Sequence, residues 1–258
     1  MKEAENGFTL IEVIGVLAIM AILASAIAPN IVHGIKRAVR DAEDASLVTL
    51  TATLKRSVAE THVIPGTAVA EWSGAVGPYL DVPQNSISGN KGAGTRRLIS
   101  RQTNDLGGVP YDQGIRFSAG AAAQGTLPTA APLRARMILV SDLSGNPPNG
   151  NISNNRFDNI WDQAGNIPNG FQESEDLRLA RISFAGMFYP VTVNCLSVAN
   201  VPRWSIDTET AKSLSTGTFT VYLMEGTRIN LLIGANMQST VVVDGAEGIT
   251  YDGSVWSF

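Results

Sequence analysis

The sequence predicts an α+β chain in which a long, kinked N-terminal helix packs on an antiparallel β-sheet. Three observations lead there. Residues 13–28 are an apolar run, and no Asp, Glu, Lys or Arg occurs from Val13 to Ile35. A helical apolar period follows it as far as about Val63. Beyond residue 135, short segments rich in β-branched and aromatic residues alternate with turn formers.

The first element is the apolar helix. Phe8 to Ala28 is 21 residues, which as a helix spans about 31 Å, the thickness of a hydrocarbon core. The run is apolar on all faces, as a helix surrounded by lipid or by other helices must be. Glu12 is the one charge at its entrance. A carboxylate at bilayer depth costs about 2.5–3.5 kcal/mol on insertion scales, so it needs a partner or a function. Pro29, which lacks an amide proton, is expected to kink the helix. Ala24-Ser25-Ala26 and Ala26-Ile27-Ala28 also have the small-x-small spacing of a secretory cleavage site. Such a signal should open with a basic segment, whereas residues 1–7 carry one Lys against two Glu.

The second element continues the first. Ile31, Ile35, Val39, Ala42, Leu47, Leu50, Leu54 and Val58 recur mostly every three to five residues, with charged residues between them. This is an amphipathic helix with one face for a core, stopped by Pro65-Gly66. Residues 65–134 then read as a connector with a short helix near 68–80 and loops at 84–95 and 119–132. Strands are expected at 136–140, 177–184, 187–193, 203–206, 218–224, 228–233, 239–243 and 248–251. Glu225-Gly226-Thr227 and residues 244–247 read as tight hairpin turns, and short turns imply antiparallel pairing. The domain plan is therefore 1–7, 8–29, 30–64, 65–134 and 135–258.

Composition narrows the function classes. The chain of 258 residues has a net charge of −4 and only 16% charged residues, which suits an exported, loop-rich protein. No basic block is long enough for a nucleic-acid footprint, and Arg96-Arg97, Arg134 and Arg136 read as solvated surface. A single cysteine, Cys195, excludes an intramolecular disulfide and reads as a buried strand thiol. Two histidines, His33 and His62, are too few for a His-based metal site or a catalytic triad. No phosphate loop, dinucleotide fingerprint or nucleophile motif is present: Gly89–Gly94 matches none of them, so an enzyme is not expected. Trp72, Trp161, Trp204 and Trp256 are expected in cores or anchoring loops, and Glu173, Glu175 and Asp176 in solvent. Residues 142–162 are rich in oxygen donors. Asp142, Asp158 and Asp162, with Asn146, Asn151 and Asn155, are candidate calcium ligands, although such Asn/Gly/Pro/Ser clusters are turn formers first.

A short polar leader ending in Gly7, then Phe8-Thr9-Leu10-Ile11-Glu12, an apolar stretch and Pro29 resembles the signal of type IV pilins and type II secretion pseudopilins. The resemblance is close over about the first 30 residues and loose over the rest. It implies cleavage by a prepilin peptidase between Gly7 and Phe8 and N-methylation of Phe8. It also implies pairing of Glu12 with the Phe8 amine of a neighbouring subunit. The chain would then wait in the inner membrane as a single-pass protein with its N-terminus inside. An assembly platform would polymerise it with other copies or related pilins into a helical filament in the periplasm or at the cell surface. The alternative within the same machinery is a minor or tip subunit whose C-terminal domain binds a ligand or acts as an adhesin.

Overall fold

The computed structural model describes residues 10–92, 94–100, 115–116, 136–148, 152–207 and 210–258. Helix α1 (Leu10–Thr61) is 52 residues long and runs through Pro29 without a break, a length of roughly 78 Å. It ends one residue before His62, whose backbone N–H still donates to the Val58 carbonyl (2.8 Å) while its own φ is +54°. That left-handed residue turns the chain into β1 (Val63–Ile64), ahead of Pro65-Gly66. Two short helices follow, α2 (Val69–Val76) and α3 (Gln84–Ser88). The second falls inside the stretch expected to be loop.

The next strands are β2 (Arg96–Ser100), β3 (Ile115–Arg116), β4 (Arg136–Asp142) and β5 (Leu177–Ser183), with helix α4 (Asn154–Asp162) between the last two. β1 pairs with β3. β2, β4 and β5 form an antiparallel sheet in which Leu139 lies opposite both Leu98 and Ala180. One face of this sheet, with Leu98, Met137, Leu139 and Ile182, packs on Leu47, Leu50, Leu54 and Val58 of α1 and on Trp72 of α2. The other face, with Ile99, Ile138 and Val140, is covered by Phe157 and Ile160 of α4 and by Phe171. Being covered on both sides, β4 needs apolar residues at successive positions, hence Met137-Ile138-Leu139-Val140.

The remaining strands are β6 (Phe188–Cys195), β7 (Pro202–Ile206), β8 (Lys212–Ser213), β9 (Gly217–Met224), β10 (Arg228–Ile233), β11 (Asn236–Val242), β12 (Glu247–Tyr251) and β13 (Trp256–Ser257). They form two four-stranded sheets, ordered β13-β12-β6-β9 and β11-β10-β7-β8. Val191, Val193, Val221, Leu223, Ile249 and Tyr251 of the first share a core with Trp204, Ile206, Ile229, Leu231 and Val241 of the second. This is a sandwich with period-2 alternation on its inner faces.

Several expectations are corrected here. In place of one sheet, the described residues form a three-stranded sheet, the two four-stranded sheets of the sandwich and the short β1–β3 pair. Neither predicted turn closes a hairpin: β9 and β10 lie in different sheets, as do β11 and β12, so both turns are corners between sheets. The tight hairpin is β10–β11, turning at Gly234-Ala235 with Gly234 at φ +60°. β6 and β12 pair in parallel, because the corner turns bring β12 back beside β6 running the same way. Ile31 and Ile35, in the predicted core stripe, remain 56% and 59% exposed, and Ala42 is exposed where Glu43 is buried. Cys195 is a buried free thiol, its Sγ donating to the Ser197 carbonyl (3.1 Å); loss of hydration pushes its pKa up.

Candidate assembly surface

α1 has two unlike halves. From Leu10 to Ala38 every residue is exposed, including Leu10 at 81% and Ile11 at 78%. This stretch projects roughly 43 Å beyond the packed part. It is long and apolar enough to cross a membrane. Exposed apolar surface of that extent calls for lipid or protein around it. Glu12 is the third described residue of α1, at the outer end of this apolar stretch. Gly7 and Phe8 lie outside the described residues.

A protein-family model, the prokaryotic N-terminal methylation motif, matches residues 4–28. The chain carries the prepilin signal of type IV pilins and pseudopilins. The matched residues take in Glu12 and most of the exposed apolar helix, so the prepilin signal and the exposed apolar surface coincide. No curated protein and no solved structure matches the chain. Behind the signal stands the α+β layout of a long helix followed by largely antiparallel sheets.

The second half of α1 holds the helix to the rest of the chain. Glu43 is fully buried and Arg96 is 2% exposed. Arg96 Nε and Nη2 donate to the two Glu43 oxygens at 2.7 Å each. The Lys91 backbone N–H donates to Glu43 Oε2 (2.9 Å), and Arg96 Nη1 donates to the Ile87 carbonyl (2.8 Å). Burial alone would push the Glu43 carboxyl up, but the Arg96 guanidinium first, then the Ser141 side chain and the Lys91 N–H, outweigh it and hold the pKa below the ordinary value. Further pairs line the same seam: Arg40 with Glu175 (2.6 Å) and Arg178 with Asp44 (3.1 Å). Arg96, read from sequence as solvated, is thus a core residue, and Glu175 is tied to α1. Arg136, also read as solvated, pairs with Asp158 (2.5 Å) and lies 4.8 Å over the Trp161 ring.

The candidate calcium ligands are dispersed. Asp142 ends β4 and accepts from the Ser144 N–H (2.9 Å) and hydroxyl (2.7 Å). Asp158 is bound to Arg136 at the opposite end of β4, roughly 20 Å away along the strand. Asp162 is exposed at the end of α4, and Asn151 lies outside the described residues. No group of three or more His, Cys, Asp or Glu able to hold a metal occurs among the described residues.

Proposed function

We propose that the chain is processed and polymerised as a filament subunit of a type IV pilus or type II secretion pseudopilus. One observation carries this: an exposed, all-round apolar helix bearing Glu12 coincides with the N-terminal methylation motif. In this reading a prepilin peptidase cuts after Gly7 and methylates the new Phe8 amine, which stays cationic. The protein waits in the inner membrane, with its head outside, until an assembly platform extracts it. Burial of the Leu10–Ala38 surface among neighbouring helices then drives assembly. At about 25 cal/mol per Å² of apolar surface removed from contact with water, this is a large term at any helix end that leaves the lipid.

Glu12 supplies register. A carboxylate in a dry filament core is unfavourable alone, but a charge-assisted pair with the Phe8 amine of the next subunit satisfies both groups. Only one axial offset brings them together. The role is structural and asks for no catalytic group. A second reading, a minor or tip subunit whose C-terminal sandwich binds a ligand, is favoured by that sandwich having a core of its own.

The test is Glu12→Ala in the native host. Cleavage after Gly7 should proceed as in wild type while the amount of chain in sheared filaments falls at least tenfold. Normal polymerisation of the variant would refute the pairing role. The wild-type filaments also separate the two readings, since a tip subunit is greatly outnumbered by the major one.

A further inference from the structure

The C-terminal sandwich meets the helix-bearing body through a narrow seam. Its apolar part is Phe188 and Met224, which join the core beneath α1, with Tyr222 packed against them. Its polar part is His62 at the end of α1 against Asp207 at the end of β7. We propose that His62 and Asp207 form a pH-sensitive latch that fixes the pose of the C-terminal sandwich on the end of α1. The proposal rests on the fold and stands whether or not the chain polymerises.

Both partners are held from their own sides. Asp207 is fixed within the sandwich: its N–H donates to the Arg228 carbonyl (2.7 Å) and its Oδ1 accepts the Arg228 N–H (2.9 Å). Asn230 Nδ2 donates to the Asp207 carbonyl (3.0 Å). This leaves Oδ2 aimed at His62 Nδ1, 2.9 Å away, with the two side chains only 24% and 12% exposed. A carboxylate can only accept, so Nδ1 carries the proton. At the other ring nitrogen stands the turn between β9 and β10. Gly226 is at φ +83°, and a Cβ there would lie 3.4 Å from Nε2.

Among the described residues, several elements place groups around the ring. From β7 comes the Asp207 carboxylate, and from the β9–β10 turn the Glu225 carbonyl. From β10, Arg228 presents its backbone N–H to the same carboxylate. From α1 comes the helix's own C-terminal end, whose negative dipole favours a cation. Asp207 first, and then the Glu225 carbonyl, outweigh burial and raise the His62 pKa above its ordinary 6.5. The sign follows. The charged pair contributes fully below the unfolded value near 6.5 and is lost as pH rises through the higher folded value. Above it the neutral ring keeps its hydrogen bond to Asp207 but loses the charge attraction, so the sandwich is held less firmly.

The test uses the full chain in detergent micelles. Proton NMR follows the His62 ring titration, with His33→Gln assigning the two histidine signals. Amide hydrogen exchange, corrected for intrinsic rates, follows residues 203–207 and 225–230 from pH 5.5 to 8.5. The expected result is a His62 midpoint above 6.5 that drops in Asp207→Asn. Protection of the two segments should fall through the same midpoint and become independent of pH in His62→Gln. A wild-type midpoint at or below 6.5 overturns the latch without reference to any variant. So does pH-dependent protection that persists in His62→Gln.

Discussion

Glu43 is the residue on which the docking of α1 depends most. Once its partner is removed, Arg96 is a buried cation with only backbone carbonyls to face. Breaking a buried pair from one side costs about 3–5 kcal/mol, so Glu43→Ala and Arg96→Ala should each lower unfolding free energy by roughly that much in denaturant titrations at pH 7. A double replacement by apolar residues of similar volume should cost far less. The pH sign is opposite to that of His62. Because the Glu43 pKa is depressed, its contribution is present above the ordinary carboxylate range and is lost as pH falls through the folded value. Glu43→Gln should flatten that acid limb. A signal for this pair did exist in the chain. Glu43 lies four residues before Leu47, in register with the Leu47-Leu50-Leu54-Val58 stripe, and Arg96 shares a strand face with Leu98. Sequence reading took both as ordinary solvated charges, since burial of a charge becomes visible only when its partner from a distant segment is in place.

Among the elements, α1 was the most legible, because an all-apolar run and a helical stripe follow from side-chain periodicity alone. The point where the stripe begins to pack was not. Ile31 and Ile35 keep the period but lie beyond the head, and nothing local distinguishes them from Leu47. Strands were legible where they alternate, as in β6 and β9, or run continuously apolar, as in β4. Their partners were not, since Glu225-Gly226-Thr227 has the chemistry of a turn whether it joins neighbours in one sheet or crosses to the other. β4 also bears on the calcium candidates at this scale. It holds the Asp142 turn and the Arg136–Asp158 pair at opposite ends, so the loop carboxylates are kept apart. Adding a chelator to the purified chain should leave its melting temperature unchanged. A drop of several degrees, reversed by calcium, would show that the loop gathers ligands after all.

At the scale of the whole molecule, the chain is a projecting apolar helix, a helix-and-sheet body that grips its second half, and a β-sandwich attached beyond the helix end. The short signal at residues 4–28 spoke for the first part. The sandwich was hidden, because its closure depends on two corner turns and a parallel β6–β12 pair far apart in sequence. Assembly into a filament requires that this signal be used as a prepilin signal. The most direct measurement is the intact mass and N-terminal fragment mass of the mature protein from its native membrane. The expected product is a chain beginning at Phe8 and carrying one added methyl group on its amine. A chain beginning after Ala26 or Ala28, or one retaining residues 1–7, would contradict it.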